Sequence, residues 1–331
     1  MASEPTSFCP SPKRVFMLGA TGTIGRATVR ALIKRGHDVV CFVRSGSELG
    51  SSEIAGAQCR TGVVSNAGSI IKDGFRGEKF DVLVSCMASR NGSADDAWAI
   101  DHRAHVESLA AAQSAGVSHM VLLSAICVQK PQLAFQHAKL AFEKILIDSG
   151  ITYSIIRPTA FFKSLSGQVD RVKNGKPFLV FGDGKLTACK PISDDDLANY
   201  LADCIDDQTL HNRILPIGGP GAAITPLQQG EMLFGLLDQE PRFKHVPVRL
   251  MDIIIGVLET VGRLVPAAAR KADLARIGRY YATESMLVWD PETGNYDEVA
   301  TPSTGADTLF DHYQRLVSGE TISERGEHSV F

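Results

Sequence analysis

Three glycines at a spacing of three, Gly19, Gly22 and Gly25, punctuate the run Gly19-Ala20-Thr21-Gly22-Thr23-Ile24-Gly25. A residue without a side chain lets the backbone turn sharply, lets an anion approach the main chain, and lets a helix pack tightly on a strand. The apolar run Val15-Phe16-Met17-Leu18 precedes the turn and a helical pattern from Arg26 to Arg35 follows it. Strand, turn and helix in that order aim the free amides of a helix N-terminus at a pyrophosphate. Gly19, Thr21, Gly22, Thr23, Ile24 and Gly25 are therefore the expected cofactor contacts. A second apolar run, Val39 to Val43, ends on Arg44. An acid at that point would accept ribose hydroxyls, whereas a guanidinium suits a 2′-phosphate, so the cofactor expected is NADPH.

The second chemical signal is a lysine whose usual partner is missing. In short-chain dehydrogenases a tyrosine four residues before a lysine exchanges a proton with the substrate oxygen, and the lysine lowers its pKa and holds the nicotinamide ribose. Here the segment reads Phe135-Gln136-His137-Ala138-Lys139, with Ser124 at the end of the strand before it. Lys139 is the catalytic candidate and, with Ser124, a cofactor contact; an ordinary solvated lysine is the plainer alternative. Carbonyl reduction develops alkoxide charge that needs an acid in reach, and Phe135 cannot supply one. Hydride addition to a carbon–carbon double bond conjugated with a large π-system spreads the charge instead. The substitution favours ene reduction or no catalysis.

Further candidates lie in Arg157-Pro158-Thr159-Ala160-Phe161-Phe162-Lys163. Pro158 ends a strand beside the cofactor, and Phe161 and Phe162 are placed to cover a nicotinamide or a flat substrate, unless they only pack a junction. Phe135, Tyr280 and Tyr281 complete the candidate substrate contacts, with the two tyrosines, near Glu284, as replacement proton donors. Ser193-Asp194-Asp195-Asp196 reads as a helix cap with acids on the helix dipole rather than a metal site. None of the nine histidines forms an HxH or HExxH pair, so no metal site is expected; His137 and His245 are candidates only for an axial bond to a metal carried by a ligand.

The elements that must position these residues alternate. Strand-like runs at 80–85, 119–124 and 152–157 are separated by helical spacing at 101–115 and 139–149, the latter closed by Gly150. That order predicts an α/β, doubly wound parallel sheet with ligands beyond the carboxyl ends of its strands. The residues to inspect are thus 85–90, 124–128 and 158–162. The expected organisation is a disordered tail at 1–12, an NADP-binding Rossmann domain at 13–158, a smaller substrate-binding region at 159–318 interleaved with that core, and a flexible tail at 319–331. The stretch from Val246 to Ala269 carries Arg249, Asp252, Gly256, Glu259 and Arg263 on one narrow polar stripe and is otherwise apolar. Such a helix reads first as buried core, and otherwise as a wall for a large hydrophobic ligand, a membrane-surface contact or a subunit interface.

Bulk properties narrow the classes. A net charge of −3 without a basic stripe argues against nucleic acid as a partner. Seven scattered cysteines without a CxxC pair read as thiols in a reducing compartment. The polar first residues lack the apolar core of a secretory signal, and the charges within 246–269 argue against a transmembrane span.

Longer stretches carry a family resemblance. The segments 157–163, 177–194 (Pro-Phe-Leu-Val-Phe-Gly-Asp-Gly-Lys-Leu-Thr-Ala-Cys-Lys-Pro-Ile-Ser-Asp), 215–221 and 275–288 resemble the divinyl chlorophyllide a 8-vinyl reductases, atypical short-chain dehydrogenases with NmrA-like relatives. The resemblance runs from about Lys13 to Leu316. It implies NADPH-dependent reduction of an 8-vinyl group to ethyl on divinyl chlorophyllide or protochlorophyllide, in chlorophyll or bacteriochlorophyll synthesis. The partner implied is a tetrapyrrole, with peripheral membrane association as an option. The short N-terminus looks more like a cytoplasmic bacterial form, at or near a photosynthetic membrane, than a chloroplast precursor; a plant or algal source would imply the chloroplast. The competing expectations are a non-catalytic NADP(H)-binding regulator or photosystem assembly factor of the same fold, and an ene reductase of the isoflavone-reductase type.

Overall fold

Seven parallel strands form the central sheet: β1 (Arg14–Leu18), β2 (Asp38–Arg44), β3 (Gln58–Gly62), β4 (Val82–Ser85), β5 (His119–Leu123), β6 (Thr152–Pro158) and, after a short strand β7 (Phe178–Phe181) that lies elsewhere, β8 (Arg213–Ile217). Their order is β3-β2-β1-β4-β5-β6-β8, so the chain reverses direction across the sheet between β1 and β4. This is the doubly wound arrangement expected, with its switch point beside the glycine turn. The computed structural model describes residues 11–46, 55–90 and 92–320; the expected tails fall almost entirely outside them.

The central strands are continuous apolar runs because both of their faces are covered. Val15 and Met17 of β1 point to one face, where they join Val39 and Cys41 of β2, Ala27 and Leu32 of helix Thr23–Lys34, and Leu197 and Leu201 of helix Asp194–Asp206. Phe16 and Leu18 point to the other, against Phe75, Phe80, Leu109 and Phe142. Ser193 caps helix Asp194–Asp206 by accepting from the Asp196 amide at 3.0 Å, the role expected of it. That helix and β8 both come from beyond residue 159, so the second half of the chain completes the first half's sheet.

The second half also builds a smaller layer: β7 pairs in parallel with β9 (Phe243–Val246), and β10 (Val288–Asp290) pairs antiparallel with β11 (Asn295–Asp297). Its core gathers Phe162, Val172, Phe178, Phe234 and Tyr313.

One expectation is corrected. The stretch 246–269 is not a buried helix but the larger part of a hairpin, helix Val248–Gly262 followed by helix Pro266–Thr283. Ile255 is the only buried residue of the first helix. The two acids of the polar stripe reach the partner helix: Asp252 pairs with Arg279, and Glu259 with Arg276 at 2.7 Å, both across the hairpin. With these two acids paired to the partner helix, the apolar surface of the first helix faces out. No helix among the described residues is long and apolar enough to cross a membrane.

Two buried histidines are held neutral. His105 donates from Nδ1 to the Ile100 carbonyl at 2.8 Å and accepts the Ser85 hydroxyl on Nε2 at 2.9 Å. Burial, with the nearby Lys139 cation adding to it, lowers its pKa to about 4. His119 donates to Ser154 Oγ at 3.2 Å, and burial, with repulsion from the neighbouring His211 ring adding to it, lowers its pKa to about 3. In the unfolded chain both titrate near 6.5, so below that pH the unfolded state binds protons that the folded state refuses. Stability is complete above about pH 6.5 and is lost progressively toward about pH 4. The urea midpoint should therefore fall between about pH 7 and about pH 5; a midpoint unchanged over that interval would contradict the burial of both rings.

Candidate active site

The glycine turn lies at the carboxyl end of β1, and its three glycines are there for different reasons. Gly19 has φ +79° and its α-carbon lies against the end of β4, where a Cβ would come within 2.5 Å of the Cys86 carbonyl carbon. A Cβ on Gly25 would sit 2.0 Å from the Gly19 carbonyl oxygen, so helix Thr23–Lys34 can seat on the turn only without one. Gly22 differs: its φ is −78°, and a Cβ would meet nothing nearer than the Gly19 carbonyl at 3.6 Å, an ordinary contact. Packing within the protein does not require glycine there. Gly22 is also the helix N-cap, and no side chain caps the first turn. A bare N-cap and uncapped amides suit a pyrophosphate lying against the main chain, so these residues fit a dinucleotide.

The turn is braced by cations from outside it. Arg26 Nη1 donates to the Thr21 carbonyl at 3.1 Å, and Lys163 Nζ donates to Thr23 Oγ1 at 3.0 Å. Sequence reading passed over Lys163 as a phosphate-side group; its separation of 140 residues from Thr23 gave no local signal. Arg44 ends β2 and is exposed, as a residue reading a 2′-phosphate must be.

Helix Ala134–Asp148 carries Phe135, Lys139 and Glu143 four residues apart, on one face toward the ligand edge. Lys139 Nζ forms an ion pair at 3.0 Å with Asp101, whose side chain is fully buried. Its ammonium is thus anchored rather than solvated. A buried pair of this kind returns little net stability, because desolvation offsets the attraction; its consequence is positional. Glu143 accepts the Ser124 hydroxyl and is clamped by Arg157 from β6. Ser124 is therefore buried with its proton committed to a carboxylate. Asp101, Glu143 and Arg157 were not anticipated as parts of the site, although the four-residue step from Lys139 to Glu143 was a readable signal.

The chain after β6 is stitched down. The Thr159 amide donates to the Ile217 carbonyl at 2.9 Å, and the Ile192 amide to the Ala160 carbonyl at 2.9 Å. Pro158 is the buried last residue of β6. Phe161 is half-buried and packs on the sheet face that Ile24 and Cys86 also cover. Phe162 points the other way, is 3% exposed, and belongs to the core of the smaller layer.

Phe135 is half-buried in an apolar cluster with Leu133, Cys127, Tyr280 and Met286. The Tyr280 hydroxyl is shared between the Cys127 and Lys130 carbonyls at 2.9 and 3.1 Å, and burial first, then nearby Cys127, pushes its pKa up. Tyr281 is 43% exposed overall, while its hydroxyl lies 3.9 Å from Cys127 Sγ; burial raises its pKa as well. Glu284 is bound by Lys130 and Tyr296, each at 2.7 Å; burial opposes its ionisation, but these bonds outweigh it and lower its pKa. Of the two histidines considered for an axial bond, His137 is exposed and His245 is engaged with the Gly182 carbonyl at 2.8 Å. No group of three or more metal-ligating side chains occurs among the described residues.

An NAD(P)H-binding family model matches residues 19–208, which span the turn, Lys139 and the strands between them. A divinyl chlorophyllide a 8-vinyl-reductase, chloroplastic, from Oryza sativa subsp. indica is 49% identical over all of this chain and 85% of its own length. The chain belongs to the divinyl chlorophyllide a 8-vinyl reductase family. A photosystem II assembly factor from Synechocystis is more distant, 25% identical over 72% of each chain. Among solved structures, leucoanthocyanidin reductase with NADPH from Vitis vinifera superposes with a TM-score of 0.67 at 15% identity, covering 92% of this chain and 99% of that one. This last likeness is one of fold. The family member described here therefore carries an NAD(P)H-binding domain of Rossmann type, with the glycine turn inside the matched segment.

The different demands on Gly22 and Gly25 separate in a mutational test. Gly25→Ala should cost about 3 kcal/mol of folding stability through the forced clash. Gly22→Ala should keep stability within about 1 kcal/mol of the parent and weaken NADPH binding about tenfold or more. Denaturation and fluorescence titration on the same samples distinguish the two; unchanged NADPH affinity in Gly22→Ala would contradict the cradle assigned to that position.

Proposed function

We propose that this protein reduces the 8-vinyl group of divinyl chlorophyllide or protochlorophyllide a to ethyl with NADPH, giving the monovinyl pigment. The observation that carries this reading is the 49% identity to a named 8-vinyl reductase along the whole chain. The site chemistry supports it. When bound, NADPH supplies the hydride for the terminal vinyl carbon. Charge left on the inner carbon spreads into the macrocycle, and that carbon then takes up a proton, so the reaction forms no alkoxide.

Each residue has a part in this. Gly19, Gly22, Gly25 and the amides of Thr23 and Ile24 receive the pyrophosphate, with Thr21 and Lys163 beside it. Arg44 holds the 2′-phosphate and so selects NADPH over NADH. Lys139, fixed by Asp101, orients the nicotinamide ribose. Phe161 covers the nicotinamide, while Phe135 and the part-exposed Tyr281 present apolar surface to a flat substrate. Ser124 supports this arrangement through Glu143 rather than donating to substrate. The chloroplastic relatives favour a plastid setting over a bacterial cytoplasm.

Anaerobic incubation with 3,8-divinyl chlorophyllide should shift the Soret band to the blue with NADPH and not with NADH. Absence of a shift while NADPH still binds would contradict the reductase reading. Phe135→Tyr should leave turnover within about twofold of the parent; a gain of about a hundredfold would show that a missing acid limits the reaction.

A further inference from the structure

The hairpin Val248–Thr283 has the polarity of a surface helix turned inside out. Leu250, Ile253, Ile254, Val257, Val261 and Leu264 are all exposed, Ile253 by 62% and Leu264, at the tip, by 89%. At 100° per residue the five on the helix, Leu250 to Val261, fall within an arc of about 100° and run for about 17 Å along it, and Leu264 extends the patch at the turn. The opposite side of that helix, with Ile255, Asp252 and Glu259, is the side that meets helix Pro266–Thr283.

Charge identifies what covers the stripe. The hairpin holds six basic and three acidic residues, a net +3 in a chain of net −3. All three acids are in ion pairs with Arg276 or Arg279. Arg249, Arg263, Arg270 and Lys271 have no acidic partner among the described residues. An apolar stripe bordered by uncompensated cations is complementary to a bilayer with anionic headgroups, where the side chains enter the acyl boundary and the cations meet phosphates. A second copy would bring the same cations face to face. A tetrapyrrole in the cleft would not reach the stripe, because helix Pro266–Thr283 is the one that contacts the body of the protein: Tyr280 bonds to Cys127, and Leu274 and Ile277 border Gly92.

We infer that the outer face of helix Val248–Gly262 docks the protein on the surface of an anionic lipid bilayer, lying in the interface without spanning it. This goes beyond the reductase reading and does not depend on it.

Flotation of the full chain with vesicles tests the inference. The protein should float with phosphatidylcholine vesicles containing phosphatidylglycerol, float far less with phosphatidylcholine alone, and be released by salt. The double substitution I253D/V257D, at exposed positions, should abolish flotation while leaving NADPH binding and the circular dichroism spectrum unchanged. R263Q/R270Q should reduce partitioning about tenfold. No flotation with either composition, equal flotation of I253D/V257D and parent, or a parent dimer that I253D/V257D dissolves would each overturn it. NADPH binding and vinyl reduction are read separately, so failure of docking and failure of the proposed reaction are distinguishable.

Discussion

The α-carbon of Gly19 lies so close to the main chain of Cys86 that no side chain fits between them, and most of the site follows from that approach. It joins the end of β1 to the end of β4 at the point where the strand order reverses, opening a crevice at the carboxyl edge of the sheet. Gly25 repeats the constraint in the first turn of the helix, seating helix Thr23–Lys34 directly on the Gly19 carbonyl. Because that seat is fixed by contact, the amides of the first helical turn are aimed before any ligand arrives. Gly22, which the protein itself does not need, is then explained by the anion those amides receive.

On the facing side, the polar groups of helix Ala134–Asp148 are almost wholly committed. Lys139 is tied to Asp101, and Glu143 to Ser124 and Arg157. The phenols of the neighbouring wall are committed as well, Tyr280 to two carbonyls and Tyr296 to Glu284. What the crevice offers is a positioned ammonium, apolar surface and anion-binding amides, with no phenol at position 135. That combination suits hydride addition to a conjugated double bond, where charge is absorbed by the substrate, better than reduction of an isolated carbonyl.

The parts of this arrangement legible in the sequence were those encoded locally. β1, β2 and the glycine turn declare themselves through apolar runs and spacing, and Ser193 through its cap and acids. β3 did not, because Gln58-Cys59-Arg60-Thr61-Gly62 is a polar edge strand in which Arg60 is buried through bonds to the Gly74 carbonyl and Glu78. β8 was hidden by its distance from β6, its neighbour in the sheet. The ion pair from Asp101 to Lys139 and the bond from Lys163 to Thr23 join residues far apart in the chain, where spacing carries no information. The hairpin was misread for a related reason: amphipathicity reports that a helix has two faces, not which one turns inward, and here Arg276 and Arg279 decided the matter.

The central claim, that this crevice delivers hydride to a vinyl carbon without a phenolic acid, is tested most directly by isotope tracing. A single anaerobic turnover with divinyl chlorophyllide and NADPH deuterated at C4 on the transferred face should place one deuterium on the terminal carbon of the new ethyl group, as read by NMR. Deuterium on the inner carbon, or a reduced product containing none, would contradict the account.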